Sequence, residues 1–174
     1  MRVLGIDPGS AVVGYGVVEP GAGPSGSPGG RLVECGVVRA DARAPLPERL
    51  RTIHDGLAAL IARHRPDVLA VEGIFYAKNV RTTVVLGHAR GVILLAAAQA
   101  GLPVSEYAPR VVKRTIVGKG GALKAQVGYM VAQLLRLKAP PKPADAADAV
   151  AIALTHLLVT QRGAAFFRRV TGAR

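Results

Sequence analysis

The chain opens with Arg2-Val3-Leu4-Gly5-Ile6-Asp7-Pro8-Gly9-Ser10. Val3, Leu4 and Ile6 predict a short buried strand, and the Pro8-Gly9 pair ends it abruptly. Asp7 therefore stands at the end of an apolar strand, where an ionised carboxylate is costly to keep unless a cation meets it. A simple turn after the strand is the alternative explanation for Asp7. The role of Asp7 therefore depends on which other charged side chains lie near this strand end in the fold.

The pattern of the following residues predicts strands first and then alternating helices and strands. Residues 11–18 and 31–38 have strand patterns, and the Gly/Pro/Ser-rich residues 20–30 between them predict a flexible hairpin loop. From Leu46 the apolar residues recur at three- and four-residue steps, which predicts an amphipathic helix of about 18 residues. A continuous apolar run from Val68 to Val71, typical of a central strand, ends in Glu72. The later patterns predict a strand over 104–107 and helices over 79–99, from Pro109, over 122–137 and over 144–161.

This order of elements predicts the α/β class, with a mixed five-stranded sheet and helices on both faces in three α/β/α layers. A Rossmann fold does not fit, because no Gly-x-Gly-x-x-Gly opens a helix after the first strand. The length and composition predict a single domain over residues 1–162 and a flexible basic tail over 163–174.

The charge balance points to a polyanionic partner. The chain has 23 lysines and arginines against 11 acidic residues, a net charge of +12. A chain this basic and this apolar favours nucleic acid as its partner. Eleven basic residues and a single acid, Glu106, lie between Lys78 and Lys142, which favours a binding face over evenly spread charge. A generally basic composition is the alternative.

Other features narrow the cellular setting. The one cysteine, Cys35, cannot form an internal disulfide, and no charged leader with an apolar core precedes the first strand, so we expect a cytoplasmic protein. The most apolar helix pattern, over 79–101, is interrupted by Arg81, His88 and Arg90, so no membrane span is expected. Because this helix is apolar on more than one face, it either lies within the domain or shares a side with a partner.

Four acidic residues occupy unusual positions. Asp7 and Glu72 end two strands that we expect to be neighbours, and Asp145 and Asp148 share one face of a largely apolar helix. Taken singly, the helix acids could complement the helix dipole and Glu72 could pair with a core arginine. Taken together, converging carboxylates repel one another unless protons or cations intervene.

The chemistry of such a cluster is that of hard divalent ions. Carboxylate oxygens with open positions suit Mg²⁺ or Mn²⁺, which also bind phosphate. Two such ions can activate water and stabilise the leaving oxygen of a phosphodiester. An acidic cluster in a basic chain therefore predicts metal-dependent chemistry on a nucleic acid backbone.

Four segments resemble the signature segments of the bacterial RuvC Holliday junction resolvases, and the resemblance is co-linear from residue 2 to about 160. The segments are Gly5-Ile6-Asp7-Pro8-Gly9-Ser10, Val71-Glu72-Gly73-Ile74-Phe75-Tyr76-Ala77-Lys78-Asn79, Pro109-Arg110-Val111-Val112-Lys113-Arg114-Thr115 and Asp145-Ala146-Ala147-Asp148-Ala149-Val150-Ala151-Ile152-Ala153-Leu154-Thr155-His156. The resemblance implies a ribonuclease H-like fold, a homodimer and symmetric nicking of four-way DNA junctions. It also implies Mg²⁺ as cofactor, with Mn²⁺ able to substitute and one or two ions per site, and a RuvA–RuvB branch-migration complex as partner.

The resemblance further implies roles for individual residues. The acidic quartet of the family falls on Asp7, Glu72, Asp145 and Asp148, as catalytic and metal-binding residues. Its functionally important lysines fall on Lys113 and Lys124, and its junction-contacting aromatic residue falls on Phe75. From the residues alone, Phe75 could equally anchor the core, and both lysines could lie on a solvated face. The expected DNA contacts are Phe75, Tyr76, Lys78, Asn79, Arg81, Arg110, Lys113, Arg114, Lys119 and Lys124.

Three alternatives stay open at this point. Another ribonuclease H-like nuclease would share the acids, and an actin- or sugar-kinase-like ATPase would share a Gly-Ile-Asp-x-Gly opening. Such ATPases need a second domain, for which 174 residues leave no room. A catalytically inactive junction-binding module is disfavoured, because clustered acids weaken binding to phosphate.

Overall fold

A computed structural model describes residues 1–73 and 80–171 of the chain. Its elements, in chain order, are β1 (Val3–Asp7), β2 (Val12–Ala22), β3 (Pro28–Arg39), α1 (Leu46–His64), β4 (Val68–Glu72), α2 (Val80–Gln99), β5 (Val104–Tyr107), α3 (Pro109–Val117), α4 (Lys124–Leu134) and α5 (Ala144–Thr171). The five strands form one sheet in the order β3-β2-β1-β4-β5. β1 pairs with β2, and β2 with β3, in antiparallel fashion, whereas β1–β4 and β4–β5 are parallel. The predicted mixed five-stranded sheet is confirmed.

The sheet is buried on both faces because its central strands are apolar up to their last residues, Asp7 and Glu72. Leu4 and Leu69 belong to a core cluster with residues of α1 and α2. Their neighbours Val3 and Val68 belong to a second cluster, with residues of α3, α4 and α5. Successive side chains of a strand point to opposite faces, so these two clusters are the two sides of one sheet. The three α/β/α layers follow from this arrangement.

The hairpin between β2 and β3 differs from the prediction of a flexible loop over residues 20–30. Paired strands extend through most of this segment, with Gly21 opposite Gly29, and the turn is confined to residues 23–27. This end of the β2–β3 hairpin, residues 20–30, forms an arm that lies against the end of α4. A Cβ on Gly29 would lie 2.8 Å from the backbone oxygen of Leu134, and Arg136 donates to the carbonyl of Gly23 at 2.7 Å. The prediction was wrong because these glycines permit a close approach instead of supplying loop freedom.

The last helix is longer than the sequence pattern indicates. α5 runs to Thr171, whereas the apolar pattern predicts an end near Gln161. The division into a domain over 1–162 and a flexible tail over 163–174 therefore does not coincide with a helix end, and it stays a prediction. The other helices and strands begin and end within a few residues of their predicted positions.

α2 is the most apolar helix of the described chain. Thr82–Gln99 is long and apolar enough to cross a membrane by length and composition alone, with a mean hydropathy of 1.2. However, Arg90 lies in the middle of this segment and forms an ion pair with Glu106. Ala89, Ile93 and Ala97 are buried on the side of α2 that faces α1 and the sheet. α2 is therefore attached to the domain along one side.

Candidate active site

Two acidic residues meet where β1 and β4 end side by side. The strands are parallel neighbours with Ile6 opposite Val71, so Asp7 and Glu72 reach the same edge of the sheet. Ile6 and Val71 point towards α1 and α2. Because side chains alternate along a strand, Asp7 and Glu72 point to the opposite face, which α5 covers.

Glycines allow α5 to lie directly on this face of the sheet. A Cβ on Gly5 would lie 2.2 Å from the backbone oxygen of Ala149, and one on Gly14 would lie 2.1 Å from that of Asp145. On Gly16 it would lie 2.5 Å from Val150 Cγ2. Any larger residue would push the helix away. Since Gly14 pairs with Asp7 in the sheet, this contact brings the first turn of α5 to the end of β1.

Sequence reasoning missed the role of these three glycines. It placed Gly14 and Gly16 within a strand and drew nothing further from them. The available signal was the combination of alternating glycines on two adjacent strands with an alanine-rich helix, because two small surfaces can pack closely only against each other.

The converging side chains line a cleft of about 250 Å³. Its polar lining consists of Asp7, Glu72, Asp148, Lys113 and Lys124. Its walls are Pro109, Val112, Val127, Ala151 and Ile152. Asp145 does not line the cleft, but its charge acts on Asp7. The structure therefore brings together all four predicted acids and both predicted lysines.

The cleft raises the pKa of its carboxyl groups. Burial, followed by the charges of Glu72, Asp148 and Asp145, raises the pKa of Asp7 from 3.8 to about 7, against the lowering effect of Lys124. Burial and the charge of Asp148 also raise the pKa of Glu72, while Lys124 and Lys113 oppose that rise. Such shifts are typical of sites that bind a cation or transfer a proton.

One lysine already neutralises part of this negative charge. Lys124 Nζ lies 2.7 Å from Asp148 Oδ2, and this ion pair raises the pKa of Lys124. The Lys124 side chain is 79% exposed, so it reaches the acids from the solvent side of the cleft. Lys113, from α3, lines the same cleft and is partly buried. The acids thus attract cations into the cleft.

The donor set suits a hard divalent ion. Carboxylate oxygens from Asp7, Glu72 and Asp148 face one small cleft, and the Lys124 ammonium is a cation already drawn to it. Among residues 1–73 and 80–171, no three acidic, histidine or cysteine side chains stand at the spacing of a completed metal centre. The residues present therefore fit divalent ions in the chemistry of their donor atoms.

The remaining predicted DNA contacts fall into two groups. Arg110, Arg114 and Lys119 are exposed on α3 and the loop after it, beside the cleft. Phe75, Tyr76, Lys78 and Asn79 lie outside the described residues, and so does the side chain of Arg81, whose backbone is in the first turn of α2.

Comparisons with known proteins converge on one family. The model of the family described as "Crossover junction endodeoxyribonuclease RuvC" matches residues 3–156. A crossover junction endodeoxyribonuclease RuvC from Halorhodospira halophila is 53% identical over 173 residues, which cover 99% of this chain and 98% of that relative. The protein of the same name from Chloroflexus aggregans is 51% identical over 156 residues, 90% of this chain and 92% of that relative.

Solved structures agree with the sequence comparisons. A Thermus thermophilus RuvC structure has a TM-score of 0.85 and 39% identity, covering 94% of this chain and 97% of that one. The T. thermophilus RuvC in complex with Holliday junction substrate has a TM-score of 0.84 at 37% identity, with the same coverage. The yeast mitochondrial Holliday junction resolvase Ydc2, at 13% identity and a TM-score of 0.60 over 93% of this chain and 83% of that one, shares the fold.

Proposed function

The chain belongs to the RuvC family of crossover junction endodeoxyribonucleases, and on that premise we propose that it resolves Holliday junctions in DNA recombination and repair. The reaction is the hydrolysis of one phosphodiester in each of two opposing strands of a four-way junction. The observation that carries this proposal is the convergence of Asp7, Glu72 and Asp148 in one cleft of a strongly basic protein, with the charge of Asp145 acting on Asp7.

We assign the metal-binding role to these four acids. Asp7, Glu72 and Asp148 line the cleft, and Asp145 is near enough to raise the pKa of Asp7. Their oxygen ligands favour Mg²⁺, and Mn²⁺ has the same preference for carboxylate and phosphate oxygens. One or two bound ions would activate the attacking water and stabilise the leaving oxygen of the scissile phosphodiester.

The chain's own residues orient the substrate and balance its charge. With its pKa raised to about 7, Asp7 is partly protonated near neutral pH, and a bound cation would favour its charged form. Lys124 can leave Asp148 for a phosphate oxygen, because its long side chain is mostly exposed. Lys113, on the α3 side of the cleft, is placed to stabilise negative charge that develops on the phosphate.

The DNA strand follows the basic side of the cleft. Arg110, Arg114 and Lys119 extend the positive surface from Lys113 along α3 and the loop after it. These contacts hold phosphates and fix the orientation of the strand without selecting a sequence. Phe75, Tyr76, Lys78, Asn79 and Arg81 complete the proposed DNA contacts, with Phe75 stacking on an unpaired base.

We further propose a homodimer formed through α2. One side of this helix is exposed at Val84, Gly87, His88, Gly91 and Leu95, which are spaced as one helical stripe. A Cβ on Gly87 or Gly91 would meet nothing within 4 Å, so the stripe is open and shallow. A second copy of the helix can approach such a surface closely. Two copies would bring two clefts to one junction.

The remaining assignments follow from the substrate. A four-way junction is the product of strand exchange and branch migration, so a RuvA–RuvB complex is the proposed partner. Chromosomal DNA places the reaction in the bacterial cytoplasm. Residues 1–162 carry all four acids and both lysines, and we assign nuclease activity to this part of the chain, with residues 163–174 as a basic tail.

The proposal is tested with three labelled DNA substrates. Purified protein is incubated with a four-way junction, a linear duplex and an RNA–DNA hybrid, each with Mg²⁺, with Mn²⁺ and with a chelator. Paired nicks confined to the junction, and absent with chelator, are the expected result. Equal cutting of the hybrid would indicate another ribonuclease H-like nuclease, and tight junction binding without any cutting would indicate an inactive binding module.

A further inference from the structure

Arg90 is a buried cation in the middle of α2 that the proposed mechanism does not use. Its side chain is 11% exposed. Nη1 donates to the backbone carbonyl of Glu72 at 2.9 Å, and Nη2 lies 2.5 Å from Glu106 Oε2. One guanidinium group therefore connects α2 to the last residue of β4 and to β5.

Arg90 reaches Glu72 from the side of the sheet opposite to the cleft. Val71, which precedes Glu72 on β4, packs with Ala89 and Ile93 on the α2 side. Glu106 is paired with Val71, and its neighbour Tyr107 packs on the α5 side, so Glu106 points towards α2. The Glu72 side chain faces the other acids on the α5 face of the sheet, while its backbone carbonyl accepts a hydrogen bond from Arg90 on the α2 face.

The cost of burying Arg90 makes this contact informative. A guanidinium taken out of water is tolerated only when ionic and polar partners satisfy it. Glu106 is the single acid between Lys78 and Lys142 in a chain with a net charge of +12, and it is the acid that Arg90 uses. The one acid of this basic stretch is therefore used to hold the Arg90 side chain next to the Glu72 backbone.

The peptide group that joins Glu72 to Gly73 is held by two different elements. The N–H of Gly73 donates to the carbonyl of Tyr107 on β5 at 2.9 Å. The carbonyl of the same peptide group, that of Glu72, accepts the hydrogen bond from Arg90 on α2. A carboxylate that must accept an ion against repulsion from Asp7 and Asp148 is held better by a fixed backbone than by a mobile one.

We propose that Arg90 is a positioning residue that fixes Glu72 for divalent-ion binding, with Glu106 as its anchor. The inference rests on the assignment of Glu72 as a metal ligand in the proposed function. It also links α2, the proposed dimer helix, to the metal site through a single side chain. Arg90 touches neither substrate nor metal, so its effect passes through the carbonyl of Glu72.

The other end of the sheet offers a matched control. Arg2 also binds one backbone carbonyl, that of His64, and one carboxylate, that of Glu19, at 2.5 Å. These groups lie at the start of β1, whereas the acids lie at its end. Arg2→Met and Arg90→Met therefore remove the same kinds of contact from opposite ends of the sheet.

The test measures Mn²⁺ binding directly, by thermal unfolding over a Mn²⁺ titration and by calorimetry. Arg90→Met is expected to raise the Mn²⁺ concentration at half-saturation by roughly 10- to 100-fold, the range for an outer partner of a metal ligand. Arg2→Met is expected to lower the unfolding temperature in chelator yet keep half-saturation within about twofold. Arg90→Lys, which keeps one donor, is expected to lie between Arg90→Met and the parent. Glu106→Gln should shift half-saturation in the same direction by less.

Junction cleavage supplies a second readout. At saturating junction, kcat at low Mg²⁺ should fall in Arg90→Met and recover as Mg²⁺ is raised, while junction affinity stays unchanged. The inference is overturned if Mn²⁺ half-saturation is the same in Arg90→Lys, Glu106→Gln and the parent, a result that needs no Arg90→Met protein. A parent that binds Mn²⁺ without nicking junctions would contradict the proposed reaction alone, because the Mn²⁺ titration still tests Arg90.

Discussion

The charged side chains at the start of β1 and β4 and those at the end of these strands have opposite kinds of surroundings. At the starting edge, where β1 and β4 begin, acidic side chains have basic partners. Glu19 pairs with Arg2 and with Arg31, and Asp67 accepts a hydrogen bond from the backbone N–H of Arg2 at 2.5 Å. The hydrogen bond from Arg2, with help from Arg31, lowers the pKa of Glu19 below its ordinary value.

At the finishing edge, where β1 and β4 end, four acids share little positive charge. Lys124 pairs with Asp148, and Lys113 faces the same cleft. The pKa of Asp7 rises to about 7 and that of Glu72 also rises, first because of burial and then because of neighbouring carboxylates. The raised pKa values indicate that a bound cation would stabilise the charged forms of these acids.

The difference separates charges that stabilise the fold from charges kept for function. A satisfied ion pair adds a little stability and needs no ligand. A buried cluster of like charges lowers stability until a ligand neutralises it, so its presence indicates a binding site. Both edges belong to the same two strands, which makes each a control for the other.

The largest expected effect is on catalysis. Asp7→Asn removes the charge of a proposed metal ligand at the finishing edge. Cleavage of a four-way junction should then fall by more than about 100-fold, beyond the usual effect of losing an outer partner of a metal. Junction affinity, measured in Ca²⁺ or chelator, should be retained because the basic surface is intact. Glu19→Gln at the starting edge is the matched acid-to-amide control and should cleave at the parent rate. Equal losses in both variants would remove the functional distinction between the edges.

The next effect is on stability as a function of pH. The folded state raises the pKa of Asp7 from 3.8 to about 7, so it holds a proton that the unfolded chain releases. This contribution to the free energy of unfolding is complete below pH 4 and is lost as the pH rises to about 7. At about 1.4 kcal/mol per pKa unit, the expected loss is about 2–4 kcal/mol.

Comparison with Asp7→Asn isolates this term from the other titrating groups. In chelator, the variant should unfold at a higher denaturant concentration than the parent at pH 8, and the two should converge near pH 4. Saturating Mn²⁺ should stabilise the parent at pH 8 by mass action and leave the variant nearly unchanged. A parent and variant with parallel pH profiles would show that Asp7 is not strained in the fold.

A smaller effect is expected from the contact that sets the geometry of the finishing edge. In Gly14→Ala the new methyl group would lie 2.1 Å from the backbone oxygen of Asp145, and helix and strand must separate. Overpacking of this kind costs about 1–3 kcal/mol, measured by urea unfolding. Cleavage should fall further than the folded fraction does, because Asp145 and Asp148 move with α5. Gly120→Ala, with no contact nearer than 3.6 Å, is the control for stability.

The sequence predicts the layout of the fold because its periods are clear. The apolar run Val68–Val71 and the three- and four-residue steps from Leu46 match β4 and α1 closely. In each of these patterns the spacing of apolar residues indicates which faces of the element are buried, and burial of those faces determines how the element packs in the fold. The proximity of the four acids was predictable for a related reason, since each interrupts an otherwise apolar pattern, while their role as metal ligands stays a prediction.

Other features escape sequence reasoning because they depend on pairs of distant segments. The hairpin arm was taken for a loop because its glycines have low strand propensity, and only the end of α4 shows what they permit. Arg90 interrupts an apolar helix, which argues against a membrane span, but its hydrogen bond to Glu72 joins residues that lie 18 apart in the sequence. A contact of this kind does not change the spacing of apolar residues in either segment, so a sequence pattern cannot reveal it.

The smallest predicted effect concerns stability at the starting edge. Glu19→Gln removes a carboxylate shared by Arg2 and Arg31, whose side chains are 35% and 65% exposed, so the free energy of unfolding at pH 7 should fall by only about 1 kcal/mol or less. The sign with pH is opposite to that of Asp7. Because the pKa of Glu19 is lowered in the fold, its contribution is complete above pH 4.5 and is lost as the pH falls through the folded pKa.

Urea unfolding of parent and Glu19→Gln at pH 7 and at pH 3 measures this difference, with 1 M salt as a further condition that screens the exposed pair. The two proteins should differ at pH 7 in low salt and converge under the other conditions. A parent less stable than Glu19→Gln at pH 7 would place Glu19 in the same class as Asp7. In that case strain would be general to the acids of this chain, and a raised pKa at the finishing edge would no longer single out a metal site.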